Sequence, residues 1–372
     1  MGLQTPDKIR TFQRKIYLKA KSEPDFRFYL LYDKIYRSDI LLHAYLSARA
    51  NGGSAGVDGV TFEQIESKGV GEWLSGIEKE LREKTYRPQP VLRVMIPKPN
   101  GGSRPLGIPT IRDRVVQTAT KLVVEPIFEA DLEPNTFGYR PRRSALDAIQ
   151  MVHELLCKGY TDVVDADLSK YFDTIPHSEL MRCVTRRIVD RNVLRLIKLW
   201  LKVPVEERDK DGRGRKSGGR SNKSGTPQGG VISPLLANLY MNRFLKYWRI
   251  KGCNEVFRAR IVSYADDFVI LSRGKATQAL QLASAVMEQL GLKLNQDKTV
   301  VVDARNEDFD FLGYTFGQIW FRKTGKKYMG ASPSKKSIKR LKQKVRTILR
   351  PGEKGAWPDV RDRLNALLQG WS

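Results

Sequence analysis

The sequence contains few of the residues that define several protein classes. Its 372 residues include 3 cysteines, Cys157, Cys183 and Cys253, and 3 histidines. The wide cysteine spacing supports neither a disulfide framework nor a cysteine-based zinc site. No apolar stretch approaches the roughly 18 residues of a transmembrane helix, and the first 21 residues lack a signal-peptide core. These absences predict a cytoplasmic protein, inside a bacterium or an organelle, with nucleoid association compatible with its charge.

Negative charge is also scarce. The chain has 41 Asp and Glu against 66 Lys and Arg, a net charge of +25. Such an excess indicates a polyanionic partner, either nucleic acid or an acidic membrane surface. The charge is uneven, since residues 322–350 hold 12 Lys or Arg and no Asp or Glu. That stretch is the largest concentration of positive charge in the chain.

Residues 335–348 have the periodicity of an amphipathic helix. Apolar residues recur every three or four positions, at Ile338, Leu341, Val345 and Ile348. This face is expected to pack on protein, while the other faces lie along a phosphate backbone. The cations predicted to contact primer or template are Lys335, Lys339, Lys342 and Arg346.

A second basic segment covers residues 208–224. Its Gly and Ser content predicts a mobile loop without regular structure. Contact with nucleic acid and a tolerated insertion are both compatible with this composition.

Hydrophobic periodicity mixes helices and strands without strict alternation, which favours an α+β arrangement over a Rossmann sheet. Helices are predicted over residues 26–50, 71–83, 112–130, 144–158, 177–200, 234–250 and 277–291. Strands are predicted over residues 91–96, 104–108, 162–168, 261–271, 299–302 and 310–322, with a tight turn at 98–103.

Aspartates provide the clearest chemical signal. Asp266 and Asp267 stand between two apolar, β-prone runs, at the tip of a predicted hairpin. Asp is common in turns, but adjacent carboxylates beside a buried strand repel unless a cation joins them. Asp165 and Asp167 share one face of the strand at 162–168, and Asp167 is the stronger ligand candidate. If one sheet joins these strands, the oxygen ligands favour Mg²⁺, and two such ions would support nucleotidyl transfer.

The same residues resemble those of reverse transcriptases. Tyr-Ala-Asp-Asp at 264–267 resembles the metal-binding box, residues 167–173 the first catalytic box, and residues 225–238 the nucleotide-side loop and helix. Residues 104–109 and 113–117 are similar to the bacterial group II intron-encoded branch. The resemblance implies an α+β right-hand polymerase, with fingers, a palm built on a four-stranded antiparallel sheet with flanking helices, and a partial helical thumb.

This resemblance also implies a division of the chain. Residues 1–85 would form an N-terminal extension and the start of the fingers, and residues 86–160 the fingers. Residues 161–320 would form the palm, including the basic loop at 208–224. Residues 321–372 would begin the thumb or maturase region, which we expect to be truncated.

Catalytic roles follow from the matched motifs. Asp167, Asp266 and Asp267 would hold two Mg²⁺, with Mn²⁺ as a substitute. The residues implied to contact the dNTP are Lys98, Arg104, Phe172, Gln228 and Lys298. Phe172 would lie under the deoxyribose and exclude rNTPs, and Lys298 would protonate pyrophosphate.

Other matched residues have supporting roles. Phe311, Leu312, Gly313 and Tyr314 would form the primer grip. Asp173 is expected to cap or brace the next helix. Ser233 is expected to cap the helix after the glycine-rich loop.

The predicted function is RNA-directed DNA polymerisation of the group II intron type, supporting a mobile element. The predicted partners are an RNA template, a DNA primer, dNTPs and group II intron RNA, with no membrane partner and no assigned oligomeric state. Two alternatives remain: an RNA-binding maturase that assists splicing, and a domesticated, retron-like antiphage reverse transcriptase.

Overall fold

The computed structural model describes residues 3–97, 102–208, 214–219, 221–321, 325–350, 352 and 355–371. Lys98 lies outside these residues. The helices of the described ranges are α1 (Asp7–Ser22), α2 (Tyr32–Ile35), α3 (Ser38–Asn51), α4 (Phe62–Lys68), α5 (Val70–Arg82), α6 (Ile111–Glu129), α7 (Ala145–Cys157), α8 (Tyr171–Thr174), α9 (His177–Thr185), α10 (Arg191–Leu201), α11 (Ser233–Ile250), α12 (Cys253–Val256), α13 (Ala276–Gln289), α14 (Lys335–Ile348) and α15 (Trp357–Gln369). The strands are β1 (Val91–Pro97), β2 (Ser103–Ile108), β3 (Asp162–Asp167), β4 (Pro204–Arg208), β5 (Gly214–Gly218), β6 (Ala259–Tyr264), β7 (Asp267–Ser272), β8 (Val300–Asp303), β9 (Phe309–Phe311), β10 (Tyr314–Phe321) and β11 (Lys326–Pro333).

A four-stranded sheet of order β6-β7-β3-β8 lies at the centre of the fold. All its pairings are antiparallel, as predicted for the palm. Apolar side chains such as Val163, Val164 and Phe268 are buried, and helices cover the sheet. The palm-type sheet predicted from the sequence is therefore confirmed.

A second sheet has the order β2-β1-β4-β5. β1 and β2 form the predicted hairpin, and β4 adds in parallel to β1. The prediction that residues 208–224 lack regular structure is wrong for Gly214–Gly218, which pairs with β4 along its whole length. The pairing uses backbone groups and β5 lies at an exposed edge, so its Gly and Ser content does not prevent it.

Two predicted helices have different bounds in the structure. Residues 26–31 are not helical, because Phe28 pairs with Ile188 and exchanges backbone hydrogen bonds with Arg187 and Val189. The same pairing divides the helix predicted over 177–200 into α9 and α10. Asp190 caps α10 by accepting hydrogen bonds from the backbone N–H groups of Asn192 and Val193, at 3.0 and 3.3 Å.

Residues near both ends of the chain add further elements. The sequence predicted no helix before residue 26, but α1 buries Ile9, Ile16 and Ala20 against the core. Near the C-terminus, β11-β10-β9 form a third sheet, followed by α14 and α15. None of the helices in the described ranges combines the length and hydropathy needed to cross a bilayer.

The apolar face of α14 is only partly covered. Leu341, Val345 and Ile348 are half-buried, whereas Ile338 is exposed, so the expectation that all four pack on protein is wrong for Ile338. Ser334 caps the helix by accepting a hydrogen bond from the backbone N–H of Ser337.

Candidate active site

The strand register brings the predicted aspartates together. Asp167 at the end of β3 lies directly opposite Asp267 at the start of β7. Tyr264 pairs with Asp267, leaving Ala265 and Asp266 as a two-residue turn between β6 and β7. Ala265 has φ +58°, a conformation that costs energy for a residue with a side chain. One edge of the palm sheet therefore carries all three carboxylates.

A neighbouring loop holds this turn in place. Phe137 donates its backbone N–H to the Ser263 carbonyl at 2.9 Å, so the loop pairs with the outer edge of β6. Gly138 follows, and a methyl group there would lie 2.5 Å from the Ala265 backbone nitrogen. Asn238 on α11 donates to the Gly138 carbonyl at 2.6 Å. The close approach of backbone to backbone requires glycine, which sequence reasoning missed.

Arg140 anchors the same loop from inside the protein. Its guanidinium is buried and makes a paired hydrogen bond to Glu129, with the shorter contact at 2.6 Å. It also donates to the carbonyls of Glu133 and Thr136, both at 2.8 Å. These contacts satisfy the guanidinium in a buried place and hold the loop against β6.

Burial and like charge raise the pKa values of two of the clustered carboxyl groups. Burial raises the pKa of Asp165 to about 7, and the charges of Asp267 and Asp167 add to the shift. Partial desolvation raises the pKa of Asp267 to about 6, with contributions from Asp266 and Asp167. Like charges crowded in a poorly solvated place produce this pattern.

A lysine supplies positive charge at the same edge. Lys298 Nζ lies 3.0 Å from Asp167 Oδ2, and Asn295 donates to the same oxygen at 3.2 Å. The Lys298 side chain is 63% exposed and still pairs with a candidate catalytic carboxylate. The negative charge at this edge thus holds a cationic group.

The donor set fits a hard divalent cation. All the clustered ligand candidates are carboxylate oxygens, which Mg²⁺ and Mn²⁺ prefer. Among the described residues no group of three His, Cys, Asp or Glu is already arranged to hold an ion. Two effects keep these side chains apart when no ion neutralises them. The carboxylates repel one another, and Lys298 holds Asp167.

Two predicted nucleotide contacts form a hydrogen-bonded chain with Asp173. Arg104 Nε donates to Gln228 Oε1 at 3.3 Å, and Gln228 Nε2 donates to both oxygens of Asp173 at 3.2 Å. Asp173 therefore braces Gln228, and the expectation that it caps the next helix is wrong, because α9 has no side-chain cap. A cavity of about 250 Å³ adjoins Gln228 and Asp173.

An aromatic cluster lies beside the carboxylates. Phe172 is buried and packs edge-on against Tyr171 and Tyr139, with ring centroids 5.7 and 6.5 Å away. Burial raises the pKa of Tyr139, as does the charge of Asp266, whereas Arg104 lowers it. Tyr139 is thus an exposed aromatic close enough to both Asp266 and Arg104 to feel their charges. Sequence reasoning did not select it, and its position just after Gly138 was the available signal.

The glycine-rich loop enters α11 differently from the prediction. Ser233 is the first helical residue and Ile232 the cap position, so Ser233 is not the N-cap. Gln117 accepts a hydrogen bond from the Ile232 backbone N–H at 3.3 Å. A backbone N–H group at the start of α11 is thus bound by Gln117, where Ser233 was expected to act as the acceptor.

The predicted primer grip is a tight hairpin joined to α14. Leu312 and Gly313 have φ values of +49° and +84° between β9 and β10. The Gly313 carbonyl accepts hydrogen bonds from Ser334 N–H at 2.9 Å and from Ser337 Oγ at 2.8 Å. The hairpin and the basic helix therefore form one continuous surface.

All four cations predicted on α14 line one depression of about 480 Å³. We call it the thumb groove, and its cations are Lys335, Lys339, Lys342 and Arg346. Ile338 also lines it, which explains why this apolar residue is exposed.

An antiparallel palm sheet with a carboxylate-bearing hairpin, a fingers-type hairpin and a basic helix defines a right-hand nucleic-acid polymerase. Residues 96–316 match the family described as reverse transcriptase (RNA-dependent DNA polymerase). The chain belongs to this family and is of the group II intron-encoded type. It is 35% identical over 343 residues to Protein YkfC of Escherichia coli (strain K12), covering 82% of this chain and 87% of that protein.

Other relatives extend this assignment. The chain is 33% identical over 362 residues to the group II intron-encoded protein LtrA of Lactococcus lactis subsp. cremoris, covering 81% of this chain but 58% of LtrA. It covers 38% of the putative COX1/OXI3 intron 2 protein of Saccharomyces cerevisiae, at 26% identity. A solved partial Cas6-RT-Cas1–Cas2 complex contains a chain similar at a TM-score of 0.41 and 20% identity, covering 69% of this chain and 42% of that chain. The family's known use of divalent metal ions agrees with the oxygen-only donor set.

Proposed function

We propose that this chain extends a DNA primer on an RNA template by transferring nucleotides from dNTPs. The observation that supports this most is the register that sets Asp167 opposite Asp267, with Asp266 in the adjoining turn. Two strands 100 residues apart in sequence thereby contribute to one acidic edge. The family assignment adds the expectation of an RNA template.

In this proposal the primer 3′-hydroxyl attacks the α-phosphate of the dNTP, and pyrophosphate leaves. Asp167, Asp266 and Asp267 would hold two Mg²⁺, which when bound lower the pKa of the attacking hydroxyl and stabilise the developing phosphate charge. The carboxylates orient the reacting groups. Lys298, whose Nζ lies 3.0 Å from Asp167 Oδ2, would donate a proton to the departing pyrophosphate.

The remaining predicted residues select and hold the substrates. Arg104 offers positive charge to the triphosphate, and Gln228 borders the nascent base pair. Phe172, which is buried next to Tyr139, would lie under the deoxyribose and exclude a 2′-hydroxyl, so we expect a preference for dNTPs. The primer-grip hairpin and the thumb groove would hold the primer–template duplex through its backbone.

Primer extension on an RNA template with Mg²⁺ tests this function. We expect extension by the unmodified chain and none by a variant combining Asp266→Ala and Asp267→Ala. Asp25→Asn, at an exposed carboxylate that forms no ion pair within the described residues, is the control and should extend normally. Equal extension by all three proteins would refute the assignment.

A second candidate function is assistance to splicing of a group II intron RNA. The thumb groove, which carries basic charge away from the carboxylates, supports RNA binding independent of catalysis. Splicing assays with the Asp266→Ala, Asp267→Ala variant separate the two functions. Retained splicing would show that RNA binding suffices, and parallel loss of splicing and extension would argue against an independent splicing role.

A further inference from the structure

The exposed face of α10 carries a row of cations that the proposed polymerase site does not use. Arg191, Arg195, Lys198 and Lys202 follow one another at steps of four, three and four residues, so they share one side of the helix. The opposite side is buried in the core. At 1.5 Å per residue, the row extends for about 16 Å.

These four cations and Arg87 line one depression of about 680 Å³, which we call the α10 groove. Within the described part of the chain none of the five forms an ion pair. Asp190 is adjacent in sequence but is buried, and its oxygens accept hydrogen bonds from backbone N–H groups that include those of Leu31 and Tyr32. The groove therefore holds positive charge that described carboxylates do not neutralise.

The floor of the groove is apolar. Pro88, Leu199 and Val203 line it between the cations. Cations around a concave apolar floor suit a nucleic-acid strand. Its phosphates would lie against the cations at the rim, and its sugars and bases would face the floor. A flat membrane surface would meet the cations at the rim but leave the apolar floor uncovered. The described residues that line the groove include no aromatic side chain on which bases could stack, so we expect little sequence preference.

The α10 groove adjoins the cavity beside Gln228, and Val203 lines both. The two diverge along β4, where Pro204 lines the groove and the next residue, Val205, lines the cavity. Because successive side chains of a β-strand point to opposite faces, the groove extends away from the cavity on the other side of β4. An RNA strand in the groove would therefore lie beside the nucleotide site without filling it.

We propose that the α10 groove binds the sugar–phosphate backbone of a single-stranded RNA segment while a primer–template duplex occupies the polymerase site. The row of cations complements a polyanion, and RNA is the nucleic acid that the chain's family copies. The binding is an activity separate from nucleotide transfer, so it does not depend on the proposed catalytic roles.

The test measures RNA binding by the full chain already saturated with unlabelled primer–template. A labelled single-stranded RNA of mixed sequence is titrated by fluorescence anisotropy at several salt concentrations. The groove variant combines Arg191→Gln, Arg195→Gln, Lys198→Gln and Lys202→Gln. The control variant removes the same charge elsewhere, by Lys15→Gln, Lys68→Gln, Lys79→Gln and Lys251→Gln, all at exposed positions.

We expect the groove variant to bind the labelled RNA about 10- to 100-fold more weakly, with the slope of log K against log salt reduced by about 3, since each phosphate contact on a single strand contributes about 0.7. The control variant should bind as the parent does. Thermal melting should show both variants folded, and extension of a short primer–template should be unchanged. Equal binding of DNA of the same sequence would support backbone recognition.

Three results would overturn the proposal. Equal weakening by both variants would mean that total charge alone determines binding. Failure of the saturated parent to bind RNA would mean that no second site exists. Groove-dependent binding of acidic peptide or phosphatidylserine vesicles without RNA binding would assign the surface to another class of partner. Because extension is measured separately, loss of polymerase activity would not be mistaken for any of these.

Discussion

Replacing Gly138 with alanine should disable the site without touching a carboxylate. The added methyl group would lie 2.5 Å from the Ala265 backbone nitrogen, about 0.9 Å short of the 3.4 Å of an ordinary contact. The two nearest atoms, the Ala265 nitrogen and the Tyr264 carbonyl carbon, belong to the backbone, and Asn238 and Phe137 hold the loop on its other sides. The strain must therefore move the turn that carries Asp266. A displacement near 1 Å costs about 100-fold in rate, which single-turnover primer extension would measure.

Gly76→Ala is the matched control for this substitution. Gly76 lies in α5, and a methyl group there meets nothing within 4 Å. This variant should keep full activity and be stabilised by roughly 0.5–1 kcal/mol. Circular dichroism melting shows whether Gly138→Ala remains folded. A folded Gly138→Ala protein with the parental rate would refute the claim that this loop positions the turn.

The contacts around the carboxylates and the thumb groove lead to three further predictions. Asp173→Asn weakens a charge-assisted hydrogen bond worth about 1 kcal/mol at an exposed site, so KM for dNTP should rise about fivefold with kcat nearly constant. In a Gln228→Ala background it should add nothing, and an equal effect there would contradict the bracing role. Lys298→Met removes the cation that competes for Asp167. The affinity for Mn²⁺ in the absence of nucleotide, measured by electron paramagnetic resonance, should therefore rise up to about fivefold. Unchanged affinity would contradict that competition. Glutamine at the four thumb-groove cations should lower the salt slope of primer–template binding by about 3.6, whereas an unchanged slope would remove the groove from the duplex path.

The strands of the palm sheet could be predicted because their patterns are local, whereas their joining into one antiparallel sheet was expected only from the family resemblance. β6 and β7 are apolar, β-prone runs, and the alternation of side chains along β3 is enough to set Asp165 and Asp167 on one face. The same reasoning failed at α1, where only Ile9, Ile16 and Ala20 are buried and basic residues intervene. It also failed at β5, because pairing of an exposed edge depends on a neighbouring strand that composition does not reveal.

The contacts that complete the site are long-range. Arg104 and Gln228 are 124 residues apart, and Gln228 and Asp173 are 55 apart, so their hydrogen bonds could not be inferred from spacing. The motif at 113–117 has a structural role that sequence alone does not show: Asp113 is buried and accepts a hydrogen bond from the Tyr86 hydroxyl at 2.7 Å. The positions of Gly138 and Tyr139 likewise depend on how their loop meets β6.

The central claim is that Asp167 from β3 and Asp267 from β7 act as one catalytic unit. The direct test is the single-turnover rate of primer extension on an RNA template, with Mg²⁺ present, for Asp167→Asn, Asp267→Asn and the double variant. Residues that act as a unit are strongly non-additive, so each single substitution should lower the rate by about 1,000-fold or more and the double should lose little beyond that. Losses that multiply in the double variant, or a single variant with the parental rate, would contradict the account.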